Sequence, residues 1–183
     1  MASSALTLDR FAAFAFAAAV LSACGGAPKD FGSLSRYAPG AKPTIDYSGP
    51  PLQCVPYARR VSGVNIYGDA HTWWDQAEDR YKTDDEPRPG AVMVMKGRNN
   101  SDTRGHVAVV RKMLTDRQIT VDHANWANKG EVQVDTPVLD VSEDNDWSLV
   151  RVWNVERGHF GGHVYVVQGF VLPEKRGSSG LLW

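Results

Sequence analysis

The stretch GHVAVVRKMLTDRQITVDHANW, residues 105–126, decides the fold. Its first half is rich in valine, and its second half alternates apolar with polar side chains. Both halves read as β-strands, residues 106–113 and 118–126, with a hairpin connection at 114–117. Alternate residues of a strand share a face. His106, Ala108 and Val110 therefore point one way, and Ile119, Val121, His123 and Asn125 share a face of the second strand. His106 and His123 meet on one side only if the connection holds an even number of residues. Thr115-Asp116 alone would do this, and so would all of residues 114–117. An odd loop, or a bulge of one residue, would turn one histidine away.

Upstream lies Gln53-Cys54-Val55-Pro56-Tyr57-Ala58. Pro56 suits a helix's first turn, where its missing N–H costs little. It places a helix over residues 54–63 that begins at Cys54 and stops at Gly63. A thiol at a helix start is expected to lose its proton more easily, because the free N–H groups there favour negative charge. Cys54 with a histidine nearby is the arrangement of a cysteine hydrolase. A second helix is expected at residues 71–81. Further strands are expected at 91–96, 147–155 and 162–172. The sum is an α+β pattern, two N-terminal helices followed by an antiparallel sheet.

The first residues bear on location. Phe11 to Val20 is an uncharged Ala/Phe run, too short to cross a bilayer, which needs roughly 20 apolar residues. It matches the apolar core of an export signal. Leu21-Ser22-Ala23-Cys24 follows and resembles a bacterial lipobox, which would make Cys24 the lipidated N-terminus after cleavage of residues 1–23. Residues 24–51 hold five prolines, with glycines and serines, and read as a tether. A catalytic domain is expected over 52–173 and a loose tail over 174–183. The formal net charge is −1, and the signal's Asp9 and Arg10 cancel, so no basic excess argues for nucleic acid. The chain has two cysteines, and lipid on Cys24 would leave Cys54 without a disulfide partner. The expected location is the cell envelope, lipid-anchored at the outer membrane and facing the periplasm, or else periplasmic or secreted. A monomer is expected.

Five segments together resemble one family. They are Gln53-Cys54-Val55-Pro56-Tyr57-Ala58, Gly68-Asp69-Ala70 followed by Trp73-Trp74, Pro89-Gly90-Ala91-Val92, Gly105-His106-Val107-Ala108 and His123-Ala124-Asn125-Trp126. The resemblance is to the CHAP domain, the cysteine, histidine-dependent amidohydrolase/peptidase of the papain-like, NlpC-type cell-wall hydrolases. It implies a papain-like fold in which helices carrying the nucleophile pack on a small antiparallel sheet. It also implies peptidoglycan stem or cross-bridge peptides as substrate, cleaved by an amidase or an endopeptidase.

The residue types then suggest roles. Cys54 is the nucleophile, and His106 is the general base and later the acid. Either His123 or Asn125 orients His106. His123 stands where many CHAP domains carry glutamate, and a histidine third member is usual in the NlpC-type relatives. Gln53 and the Cys54 N–H are candidate oxyanion donors, Tyr57 points toward the same cleft, and Trp74 is a candidate groove residue. No cofactor is required. His159 and His163 are separated by glycines without acidic or cysteine partners nearby, so no metal is expected. The alternative is a non-catalytic envelope lipoprotein that binds peptidoglycan with a retired hydrolase fold.

Overall fold

The computed structural model describes residues 40–97, 103–126 and 129–176. The signal segment, Cys24, most of the tether, residues 98–102 and the tail beyond residue 176 lie outside the described residues. The described elements are mainly β. Strand β1 is Thr44–Asp46, followed by helix α1, Cys54–Ser62. A 3-10 turn, Ala70–Thr72, leads into helix α2, Trp73–Glu78. Then come β2 (Tyr81–Asp84), β3 (Val92–Met95), β4 (His106–Met113), β5 (Gln118–Ala124), β6 (Val132–Asp140), β7 (Leu149–Asn154), β8 (His159–Phe160) and β9 (Tyr165–Lys175).

The pairings run β3–β4–β5–β6–β7–β9 and return to β3, all antiparallel. This is a closed six-stranded barrel. The expected α+β papain-like fold, with N-terminal helices on a small sheet, is thereby corrected. The reason lies in residues 132–140, which carry Pro137, Asp135 and Thr136 and do not read as a central strand. They nevertheless form β6, which pairs with β5 on one side and β7 on the other and closes the ring. The two helices are short and lie outside it. Thr44–Asp46, within the segment expected to be tether, pairs with β6.

Closure produces two apolar layers. Met93, Met95, Ala108, Val110, Ile119, Val121, Val152 and Phe170 fill one cluster, the barrel interior. Val92, Val94, Val107, Val109 and Val171 point outward and are covered by Ala58, Trp73, Ala77 and Tyr81. β3 is therefore buried on both faces, which explains why Val92-Met93-Val94-Met95 is apolar throughout. Each such side chain contributes about 1.5–3 kcal/mol by leaving water. α1 presents Tyr57 and Ala58 to this outer layer. Gly63 ends the helix in the left-handed region at φ 76°, with its N–H donating to the Arg59 carbonyl.

The histidine face is set by two irregularities that cancel. Met113 pairs with Ile119 at the hairpin end, leaving residues 114–118 between the pair, an odd number. Continued unbroken, that register would put His106 and His123 on opposite faces. A register shift lies between Val110 and Lys112, and Val109 pairs with Asp122 beyond it. The extra residue is Arg111. Extended to the strand start, the shifted register sets Ala108 opposite His123, and His106 shares their face. A second shift sits between Val121 and His123 on the β6 side, where Asp135 takes φ 57°. Asp122 ties both breaks together. Its carboxylate accepts from Arg111 Nη1 at 2.6 Å and from the Asp135 backbone N–H at 2.8 Å.

Candidate active site

Cys54 is the first residue of α1 and is partly buried against the outer apolar layer. Gln53 precedes it in extended conformation, as the chain enters the helix. Burial raises the thiol pKa, and this is the largest influence on it. The backbone N–H groups of Val107, Val55 and Cys54 itself, and the charge of Arg104, offset only part of that. The helix start was expected to make the thiol more acidic, and the net direction is the reverse. Loss of hydration outweighs the helix-end field, because a thiolate in an apolar layer gives up more solvation than a few amides return. The Val107 hydrogen bond also locates the sulfur beside the first residues of β4.

His106 opens β4; the residue keeps some solvent exposure, while its imidazole sits in fully packed surroundings. Its Nε2 lies 3.0 Å from Nδ1 of His123. His123, in β5, is fully buried. Burial depresses both imidazoles, that of His106 well below the usual histidine range, with the neighbouring His123 pushing the same way. His123 is lowered to about 4, although the Gln133 side chain beside it pulls slightly upward. Both rings are neutral at pH 7, so one donates and the other accepts across the 3.0 Å contact. Trp126 packs against both imidazoles, its ring 4.8 Å from that of His106 and 5.3 Å from that of His123. Tyr165 backs Trp126 at 4.9 Å.

His123 is thus the group in contact with His106. Asn125 does different work. It sits at φ 59°, donates from Nδ2 to Gln53 Oε1 at 2.7 Å, and accepts the Gly130 N–H at 2.9 Å. Leu52 N–H donates to the Gly130 carbonyl at 2.8 Å. Asn125 therefore fastens the entry of α1 to the end of β5. With its Oε1 occupied, Gln53 has its NH₂ left as the donor. Tyr57 is buried, its hydroxyl raised first by burial and then by the charge of Asp122. Trp74 packs on β9, so close to Gly169 that a Cβ there would lie 2.3 Å from its ring.

The approach to His106 depends on Gly105. Its φ is 69°, and a Cβ would meet the Met95 carbonyl at 2.7 Å and the His71 nitrogen at 2.9 Å. His71, at the 3-10 turn, donates its backbone N–H to the Arg104 carbonyl at 2.9 Å. That bond holds the loop against the turn just before β4. A Gly105→Ala variant is expected to lose about 2 kcal/mol or more, since the left-handed φ alone costs roughly 1–2 and backbone must also move. Urea melts would measure this, and a change below about 0.5 kcal/mol, the ordinary surface range, would contradict it.

Sequence reasoning did not single out Trp126, Arg104 or Gln133 as site residues. Trp126 had a signal in the Asn-Trp pair. Gln133 had none, since it lies on β6, which was not foreseen.

Comparison with known proteins gives one match and one absence. No curated protein matches the chain. Residues 45–125 match the family model of the CHAP domain, a segment that contains Cys54, His106, His123 and Asn125 and stops before β6.

Proposed function

We propose that the chain hydrolyses an amide bond of peptidoglycan stem or cross-bridge peptides through an acyl-enzyme on Cys54, reading residues 45–125, which match the family model of the CHAP domain, as a member of that family of amidases and peptidases among the papain-like cell-wall hydrolases. The observation that carries the reading is the buried histidine pair, Nε2 of His106 on Nδ1 of His123 at 3.0 Å, beside a helix that begins with a thiol.

Burial holds the thiol proton on sulfur and keeps His106 neutral at rest. The mechanism is then general-base catalysis rather than attack by a preformed thiolate. As Sγ of Cys54 adds to the carbonyl carbon, its proton moves to Nδ1 of His106. The imidazolium so formed donates from Nε2 to His123, which stabilises it and holds the ring in place. The oxyanion is met by the Cys54 N–H and the Gln53 NH₂ that Asn125 orients. His106 returns the proton to the leaving amine, and water then hydrolyses the thioester by the same path. The cavity beside the helix entry, about 280 Å³, is mostly apolar but includes Asp46, Arg60, Lys129 and Glu131 in its walls. Both signs of charge suit a peptide with free ammonium and carboxylate groups. Lipid on Cys24 would hold the domain at the outer membrane facing the periplasm.

The test is digestion of purified peptidoglycan by residues 25–183 beside the Cys54→Ala variant, with products identified by mass spectrometry. New peptides or amines made by the first protein and absent with the second are expected, and their masses separate amidase from endopeptidase. No products, with both proteins sedimenting with the polymer, would replace this reading with that of a binding lipoprotein.

A further inference from the structure

We propose that Gln133 and Glu131 extend the histidine pair into a buried four-residue relay that fixes the tautomer of His123 and so leaves Nδ1 of His106 as the base. The inference rests on the reading of His106 as the base of a cysteine hydrolase and adds two positioning residues to it.

Gln133 is the direct cross-strand partner of His123, β6 against β5. Cross-strand partners share a face, so its side chain stands next to the imidazole. His123 Nε2 and Gln133 Oε1 are each buried without a hydrogen-bond partner in the geometry observed. Unpartnered buried polar atoms are rare. Here a ring nitrogen and a carbonyl oxygen on paired residues complete one another. Gln133 Nε2 donates in turn to Glu131 Oε1 at 3.5 Å, the long end of a hydrogen bond. Glu131 and Gln133 are 6% and 4% exposed, and His123 is 0%.

The chemistry gives the chain one direction. A carboxylate can only accept, so the Gln133 amide presents NH₂ to Glu131 and its oxygen to His123. That oxygen needs a proton on Nε2 of His123. A neutral imidazole then has a lone pair on Nδ1, which accepts from Nε2–H of His106. The remaining nitrogen of His106, Nδ1, is left unprotonated for the thiol. If the amide were reversed, each ring would turn over its tautomer and His106 would present a proton to Cys54 instead of a lone pair. This role goes to residues beyond the matched family segment, Gln133 on the strand that closes the barrel and Glu131 just before it.

Three variants of residues 25–183 test the relay. Gln133→Met keeps the shape and removes the acceptor. It is expected to lower kcat for peptidoglycan fragments about 10–100-fold with KM within about twofold, the usual scale for an outer partner of a functional histidine. The double variant Glu131→Gln with Gln133→Glu exchanges amide and carboxylate, keeps an acceptor against Nε2, and is expected to recover most of kcat. An unchanged kcat in folded Gln133→Met would overturn the relay, and so would failure of the folded exchange to restore activity. Nitrogen-15 NMR of the Cys54→Ala protein reads the tautomer without turnover. A proton on Nε2 of His123 with none on Nδ1 supports the relay, and the opposite tautomer overturns it. Should the unaltered protein digest no peptidoglycan, the hydrolase reading fails by itself, and the NMR result still judges the relay.

Discussion

His106→Ala is expected to reduce Cys54-dependent hydrolysis by about 10²–10⁴-fold, the range of a general base. The size follows from the resting charge state. In a thiolate–imidazolium pair the nucleophile exists before substrate arrives. Here burial lifts the thiol above its ordinary range and lowers His106 well below its own, so the proton stays on sulfur. Without an acceptor close by, the reaction must draw on the small fraction of free thiolate. The pH profiles should separate the two proteins. The unaltered enzyme loses kcat/KM only when His106 is protonated, and its depressed pKa puts that acid limb below the normal histidine range. The variant's residual rate should instead climb with pH into the range of a raised thiol. A His106→Ala protein that keeps more than a tenth of the rate, or an unaltered enzyme whose acid limb falls at the ordinary 6.5, would remove His106 from this role.

The sequence was legible wherever the signal was local. Pro56 and Gly63 bracket α1, and the valine run and the alternating run became β4 and β5. Barrel closure was not local. β6 pairs across long separations on both sides, and Pro137, Thr136 and the left-handed Asp135 disguise it as loop. Face parity was also out of reach. An odd hairpin and a one-residue bulge at Arg111 each flip the strand, and only together do they return His106 and His123 to one side. The direction of the thiol shift was missed for a related reason. A helix start can be read from residues 53–56, but the apolar layer that desolvates Cys54 is assembled from β3, β4 and β9. Asn125 and His123 are alternate residues of one stretch, and on paper either could orient His106. What divides them is that the chain turns left-handed at Asn125 and carries its side chain toward Gln53 and Gly130.

The same buried pair makes the fold sensitive to acid above the range in which carboxylates titrate. His123 is neutral inside the barrel with its pKa lowered to about 4, against about 6.5 when exposed in the unfolded chain. Between those values the unfolded state binds a proton that the folded state refuses, so the unfolded state gains as pH falls. The stability held by neutral His123 is complete above about pH 6.5 and is lost progressively down to about 4. At 1.36 kcal/mol per unit, the loss is about 2 kcal/mol by pH 5 and about 3 kcal/mol by pH 4. His106 is shifted in the same direction and adds to it. Carboxylates work in a lower window. Burial pushes Asp135 upward, but the Lys42 backbone N–H, Thr120 and Lys112 together outweigh it and hold the carboxyl below its usual value, so its contribution fades only below about 3.8. Urea melts at pH 7, 6 and 5 should therefore show a fall of at least about 2 kcal/mol, a large share of a stability that is typically 5–15 kcal/mol. His123→Gln lacks the titrating group, so its slope over the same interval should shrink to the part due to His106. A stability that stays level from pH 7 to 5 would mean that His123 is charged or solvated in the folded chain. Such a result would overturn the neutral ring of 0% exposure from which the prediction starts.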